Sequence, residues 1–168
     1  MNKIPIKKNK NSIYKQKNLW NDEDLSSFLN SISSNSEEYI IFELLCFRGL
    51  RIGEILALTP KDFNFKNSTV TINKSLIKNN FKNVIVPPKT FKDERIVILP
   101  EKIMDNVKSY LENNKIFEDN VHIFTTNRLK MNKLLKLKCR EINLPHINLI
   151  DFTKLYKMHK DIKSLQKE

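Results

Sequence analysis

Residues 39–47, "YIIFELLCF", are apolar at every position except Glu43. A surface helix needs one apolar stripe, whereas a helix apolar nearly all round must be wrapped by other elements. This run therefore dictates a central, buried helix. Ser36 is placed as its N-cap, and Glu37 and Glu38 fall where they meet the positive end of the helix dipole. Gly49 stands just past the run, where a left-handed residue ends a helix. The chain has only two glycines, Gly49 and Gly53, and both lie in "FRGLRIGE" with two of its five arginines. Elsewhere positive charge is carried mostly by 25 lysines.

Around that helix the periodicity predicts further helices near 22–33, 51–58, 101–113 and 127–141. Asn21 caps the first, ahead of Asp22, Glu23 and Asp24, and Leu25, Phe28, Leu29 and Ile32 form its apolar stripe. Thr59-Pro60 stops the short third helix. Ile103, Met104, Val107, Tyr110 and Leu111 line the fourth. Three runs rich in Val, Ile and Thr, at 68–73, 84–86 and 95–99, predict strands of one antiparallel sheet. The type of the short apolar segment 121–124 stays open. The fold class is α+β and mainly helical, with helices around a small three-stranded antiparallel sheet. One domain is expected over 19–168. Residues 1–18 form a basic arm or linker, in which Met1 to Lys17 carry six Lys and no acid. It is either a disordered tail or an arm that orders on a phosphate backbone.

The net charge of +11 raises the local concentration of polyanions, so nucleic acid is the first partner to consider. No apolar run approaches the length of a membrane span. Cys46 and Cys139 lack metal-type spacing and sit in apolar helical patterns, which places them as reduced core residues of a cytoplasmic protein. In the last clear helix Met131, Leu134, Leu135, Cys139 and Ile142 face one way. Lys130, Lys133, Lys136 and Arg140 are read on the opposite face. That stripe is either a solvated face or a DNA-facing one, and no acid interrupts it between Arg128 and Arg140.

If Gly49 ends one helix and Arg51 starts the next, the Arg backbone is fixed between two buried elements. A planar, permanently charged guanidinium then suits two phosphate oxygens in a way Lys cannot. Gly53 lets something approach closely. Glu54, three residues after Arg51, can hold the guanidinium from behind. The alternative is an ordinary helix–turn–helix with a surface Arg.

The stretch "RGLRIGEILALTPKDFNF" resembles the first conserved box of the tyrosine recombinases, the phage and transposon integrases. "NLWNDEDLSSFLNSI" is similar to the opening helix of their catalytic domain. "PPKTFKDERIVILP" resembles their β-hairpin signature, with Lys89, Thr90 and Arg95 in register. The resemblance covers about residues 18 to 152. It implies DNA integration and recombination by strand exchange on double-stranded DNA, with no metal or other cofactor. In that chemistry a tyrosine attacks the scissile phosphate, two arginines and a histidine stabilise the phosphoryl oxygens, and a lysine protonates the leaving 5′-oxygen. By resemblance Arg51, Glu54 and Lys89 are the catalytic residues. The DNA-contacting set is Arg51, Lys89, Thr90, Lys92, Arg95, Lys130, Lys133, Lys136 and Arg140. Arg51 is expected beside the Lys89 loop on one basic face. Self-association on DNA is left open.

The second conserved box departs from the pattern. "INLPHINLIDFTKLYKMHK" begins like it, but Ile150 takes the histidine place and Thr153 the arginine place, with Lys154 after them. His146 fits the upstream "LPHI", and His159 comes too late. Tyr156 follows Thr153 by only three positions, too soon for the family nucleophile, which is expected beyond the sequence. Two functional readings follow: a recombinase catalytic domain, incomplete as it stands, or a non-catalytic DNA-binding protein derived from one. A third, a basic helical domain with coincidental Arg51 and Lys89, is disfavoured by the Arg51–Glu54–Lys89 set.

Overall fold

The computed structural model describes residues 20–80, 82–88 and 94–155. Its elements are helices α1 (Asp22–Asn30), α2 (Glu37–Arg48), α3 (Ile52–Leu56), α4 (Glu101–Asn113) and α5 (Arg128–Glu141). Between α3 and α4 lie strands β1 (Phe63–Asn64), β2 (Thr69–Ile72), β3 (Ser75–Asn79), β4 (Lys82–Val86) and β5 (Arg95–Ile98). Residues 149–155 are also helical. The expected arm, residues 1–18, lies outside the described residues.

The caps form as the sequence implies. The Asp24 amide donates to Asn21 Oδ1 at 2.8 Å, and the Asn21 amide returns a bond to Asp24 Oδ2 at 3.1 Å, a reciprocal capping box. Ser36 Oγ accepts from the Tyr39 amide and Asn127 Oδ1 from the Lys130 amide. Gly49 takes φ 60° and ψ 32° directly after α2, the left-handed region that costs glycine nothing.

Helix α2 is central. Ile40, Ile41, Phe42, Leu44 and Leu45 are fully buried, and α1, α3 and α4 pack around them. Trp20, Phe28, Phe42 and Phe152 form one aromatic cluster with ring centroids 4.8 to 5.5 Å apart. Trp20 Nε1 donates to the Pro145 carbonyl at 2.8 Å, so the start of the described chain is tied to the segment before residues 149–155. The 121–124 run is irregular. The Ile123 amide donates to Leu58 O at 3.0 Å, and Ile123 and Phe124 enter the core.

A three-stranded antiparallel sheet is present, but its membership differs from the expected one. Its order is β1–β2–β5, and the run at 84–86 belongs instead to a separate hairpin with β3. The register pairs Val70 with Val97 and Ile72 with Arg95, so Arg95 shares the inward face while Ile96 and Ile98 stand 70% and 65% exposed. A run apolar at three successive positions carries no alternation from which to read its buried face. Among the described residues no helix is long and apolar enough to cross a membrane, and no group of three or more side chains could hold a metal ion.

Candidate functional site

The second glycine of "FRGLRIGE" brings the hairpin to α3. A Cβ on Gly53 would lie 2.6 Å from Ser75 Oγ and 2.9 Å from the Leu76 carbonyl oxygen, so β3 can lean on α3 only because the side chain is missing. The partner that approaches closely is thus the chain's own hairpin.

Arg51 is the N-cap of α3, with extended backbone (φ −76°, ψ 142°). Its amide donates to Glu54 Oε2 at 2.9 Å, and the Glu54 and Ile55 amides donate to its carbonyl. The backbone is held from both sides. The guanidinium is 70% exposed, with Nη1 3.6 Å from Glu54 Oε1. Glu54 itself is buried, and its closest cation is Arg95, whose Nη1 and Nη2 donate to Oε1 and Oε2 at 2.9 and 2.8 Å. The sequence paired Glu54 with Arg51 alone. The sheet register explains the difference, because it turns Arg95 inward beside Ile72 and towards α3. The planar fork of Arg95 satisfies the carboxylate bidentately, and Arg51 is thereby presented outward.

A recess of about 380 Å³ opens here, lined by Arg51, Glu54, Lys74, Ser75, Pro87 and Pro88 among others. Lys74 was not singled out in the sequence. Its Nζ donates to Asp62 Oδ1 at 2.7 Å, and Asp62 Oδ2 accepts from the Thr59 amide and hydroxyl at 2.8 Å each. The signal that points to it is the absence of any acid from residue 63 to residue 92. Among the described residues, the cations Arg51, Arg95 and Lys74 gather at this recess around the carboxylates of Glu54 and Asp62. Pro88, the residue before Lys89, lines the recess, so the strand that leads to the expected loop runs past Arg51. Lys89, Thr90 and Lys92 lie outside the described residues, as do Tyr156 and His159.

On α5, Met131, Leu135 and Cys139 are buried, and Lys130, Lys133, Lys136 and Arg140 are all exposed. Six residues separate Lys130 from Lys136, which at 3.6 residues per turn sets them about 120° apart. Lys133, Lys136 and Arg140 form the compact stripe, joined by exposed Leu129, and Lys130 flanks it. Lys138 packs against the apolar side and pairs with Glu141 at 2.8 Å. Beyond α5, Ile150 is exposed, Asp151 and Phe152 are buried, and the Thr153 hydroxyl donates to the Ile150 carbonyl at 2.7 Å.

Burial pushes the Cys46 thiol well above the ordinary range and raises that of Cys139, so neither offers a reactive thiolate.

The model of the phage integrase family matches residues 21–144 of this fold. The chain belongs to the phage integrase family. Among solved structures it is similar to the Tn1549 transposon integrase in complex with transposon right end DNA, with TM-score 0.68 and 21% identity, over 82% of this chain and 51% of that one. It is also similar to the XerA recombinase, with TM-score 0.62 and 18% identity, over 82% and 46% of the two chains. XerH recombinase bound to palindromic difH substrate gives TM-score 0.62 and 19% identity over 87% and 42%. These likenesses show the integrase fold, and the chain spans about half the length of the solved relatives it matches. No curated protein sequence matches the chain.

Proposed function

We propose that this chain is the phosphate-gripping part of a DNA integrase catalytic domain. It binds duplex DNA through Arg51 and the surrounding basic surface in the cytoplasm. The observation that carries this reading is the Arg95–Glu54–Arg51 arrangement inside an integrase-family fold. One arginine is spent on the carboxylate that anchors the other, and the anchored one faces solvent. Phosphoryl transfer relies on positioned cations around the phosphate oxygens. Arg51 supplies a bidentate donor, Lys74 adds charge at the recess wall, and Lys89 is proposed as the acid for the leaving 5′-oxygen. Thr90 and Lys92 extend the contact along the hairpin loop. Lys130, Lys133, Lys136 and Arg140 extend it along α5, and the lysines of residues 1–17 add a basic arm. The relatives named above that carry DNA in their solved structures support the choice of duplex DNA as ligand.

The second reading, a non-catalytic DNA-binding protein descended from a recombinase, is favoured by Ile150 and Thr153. Neither side chain can donate as the family's histidine and arginine do.

Both readings require electrostatic binding. Titrating a fluorescent duplex should show affinity falling by orders of magnitude between about 50 and 200 mM salt. Arg51→Ala should weaken binding and lower the slope of log affinity against log salt by about 0.9, one phosphate contact. Wild-type affinity that barely moves with salt would overturn the proposal.

A further inference from the structure

Hairpin β3–β4 projects from the domain. Ile77, Val84 and Ile85 are about two-fifths exposed, and Lys78, Asn79, Lys82 and Asn83 are exposed as well. Among the described residues β3 pairs with β4 alone, from Ser75 opposite Val86 at the base to Asn79 opposite Lys82 at the far end. The base is seated on α3 across Gly53, so the arm is aimed by a packed contact. Asn80 follows with φ 44°, the left-handed conformation that Asn tolerates in a tight hairpin turn.

The chemistry of the arm is one-sided. It lies wholly within the acid-free stretch from residue 63 to residue 92. Period-two alternation puts Lys78 and its cross-strand partner Asn83 on one face, and Asn79 with Lys82 on the other. Each face therefore offers one cation beside one amide. The Lys78–Asn83 face looks across a groove of about 770 Å³ to Arg128 and Asn132 on α5, over a floor that includes Ile52 and Leu56, and among the described residues none that lines it is acidic. A polyanion held there meets positive charge on both walls.

We propose that β3–β4 is a ribbon that enters a groove of duplex DNA and supplies sequence preference away from the phosphate held by Arg51. The proposal rests on the DNA-binding function above. A two-stranded ribbon fits the major groove, about 12 Å wide, where an Asn amide can pair bidentately with adenine N6 and N7. Lys78 and Lys82 meet the flanking phosphates, which fix the register of the ribbon but carry no sequence information. Four residue steps at about 3.3 Å place Asn79 about 13 Å from Ser75 at the recess wall. That is about four steps of 3.4 Å along a DNA strand. The preference should therefore centre about four base pairs from the phosphate at Arg51.

The test compares three variants of the full chain on a panel of short A/T-rich and G/C-rich duplexes at several salt concentrations, with self-association followed by sedimentation. Lys78→Ala/Lys82→Ala should lower the log–log salt slope by about 1.8, or 0.9 for each lost contact. Asn79→Ala/Asn83→Ala should keep the slope and flatten the preference between duplexes. Lys66→Ala/Lys108→Ala removes the same charge elsewhere and should keep both. If the ribbon lysine variant matches this charge control while the wild type binds DNA, the ribbon proposal fails and the DNA-binding function stands. If the only defect is lost self-association, the ribbon pairs with a second copy and the proposal fails. A wild type that binds no duplex at any salt overturns both.

Discussion

Arg51 owes its position to a residue 44 places later in the chain. Arg95 binds Glu54 bidentately, Glu54 holds the Arg51 amide, and the Arg51 side chain stands 70% exposed with Nη1 3.6 Å from Glu54 Oε1. Arg95 is in this sense a positioning residue. A second buried carboxylate works differently. Glu43, the one charged residue in the apolar run of α2, accepts from Asn106 Nδ2 at 2.9 and 3.1 Å and from the Tyr39 hydroxyl. Burial raises its carboxyl above the ordinary 4.5, against the pull of the Asn106 and Tyr39 hydrogen bonds and of the Lys102 charge. The folded state then binds this proton more tightly than the unfolded chain. The contribution of Glu43 to stability is full below pH 4.5 and declines as pH rises through the raised folded value. Glu43→Gln keeps the shape and cannot ionise. In urea melts it should match the wild type near pH 4 and be the more stable protein at pH 7. A variant less stable than the wild type at pH 7 would show that the ionised carboxylate is favourable where it sits.

At the scale of elements, the seating of the hairpin on α3 depends on one missing side chain. Gly53→Ala would press a methyl group on Ser75 Oγ, which can rotate, and on the Leu76 carbonyl, which cannot move without the strand. Overpacking of this kind typically costs about 1–3 kcal/mol. The variant should melt earlier and lose part of its DNA affinity, because the hairpin and the Pro87-Pro88 approach shift together. Unchanged melting and binding would mean the hairpin adapts freely. The helices were legible in the sequence because their signals are local: Asn21, Ser36 and Asn127 cap them, Gly49 ends α2, and α4 buries the five residues its period picks out. The sheet was not. Residues 84–86 and 95–99 look alike as apolar runs, and only pairing decides that the first joins 75–79 and the second joins 69–72. The β3 sequence, "SLIKN", is polar at its ends and short in apolar residues because most of it faces solvent, which hid it as a strand. Within the candidate site Arg51 and Glu54 could be read from spacing. Lys74 and the Glu54–Arg95 pair arise from contacts 12 and 41 residues apart, which no local pattern carries.

The whole molecule fixes where the second conserved box must sit. Phe152 is fully buried against Trp20, Phe28 and Phe42, which clamps residues 149–155 to α1 and α2. By resemblance its neighbours Ile150 and Thr153 stand where the family has its histidine and arginine. Ile150 is apolar, and the Thr153 hydroxyl already donates to the Ile150 carbonyl. Thr153 is neutral and short, so it cannot replace a bidentate guanidinium. Loss of one preorganised donor typically costs about 10²–10³-fold in rate, and by resemblance two are replaced here. On a suicide duplex nicked near the crossover, the chain should therefore form no denaturant-resistant protein–DNA adduct, although it binds the duplex. The control carries Ile150→His and Thr153→Arg together with a tyrosine-bearing segment from a relative, and it should form the adduct. A covalent product from the unmodified chain that disappears with Tyr156→Phe would show that Tyr156 attacks the phosphate. Arg51 and Lys89 would then suffice, with Lys74 at the recess wall, to stabilise the transferring phosphoryl group.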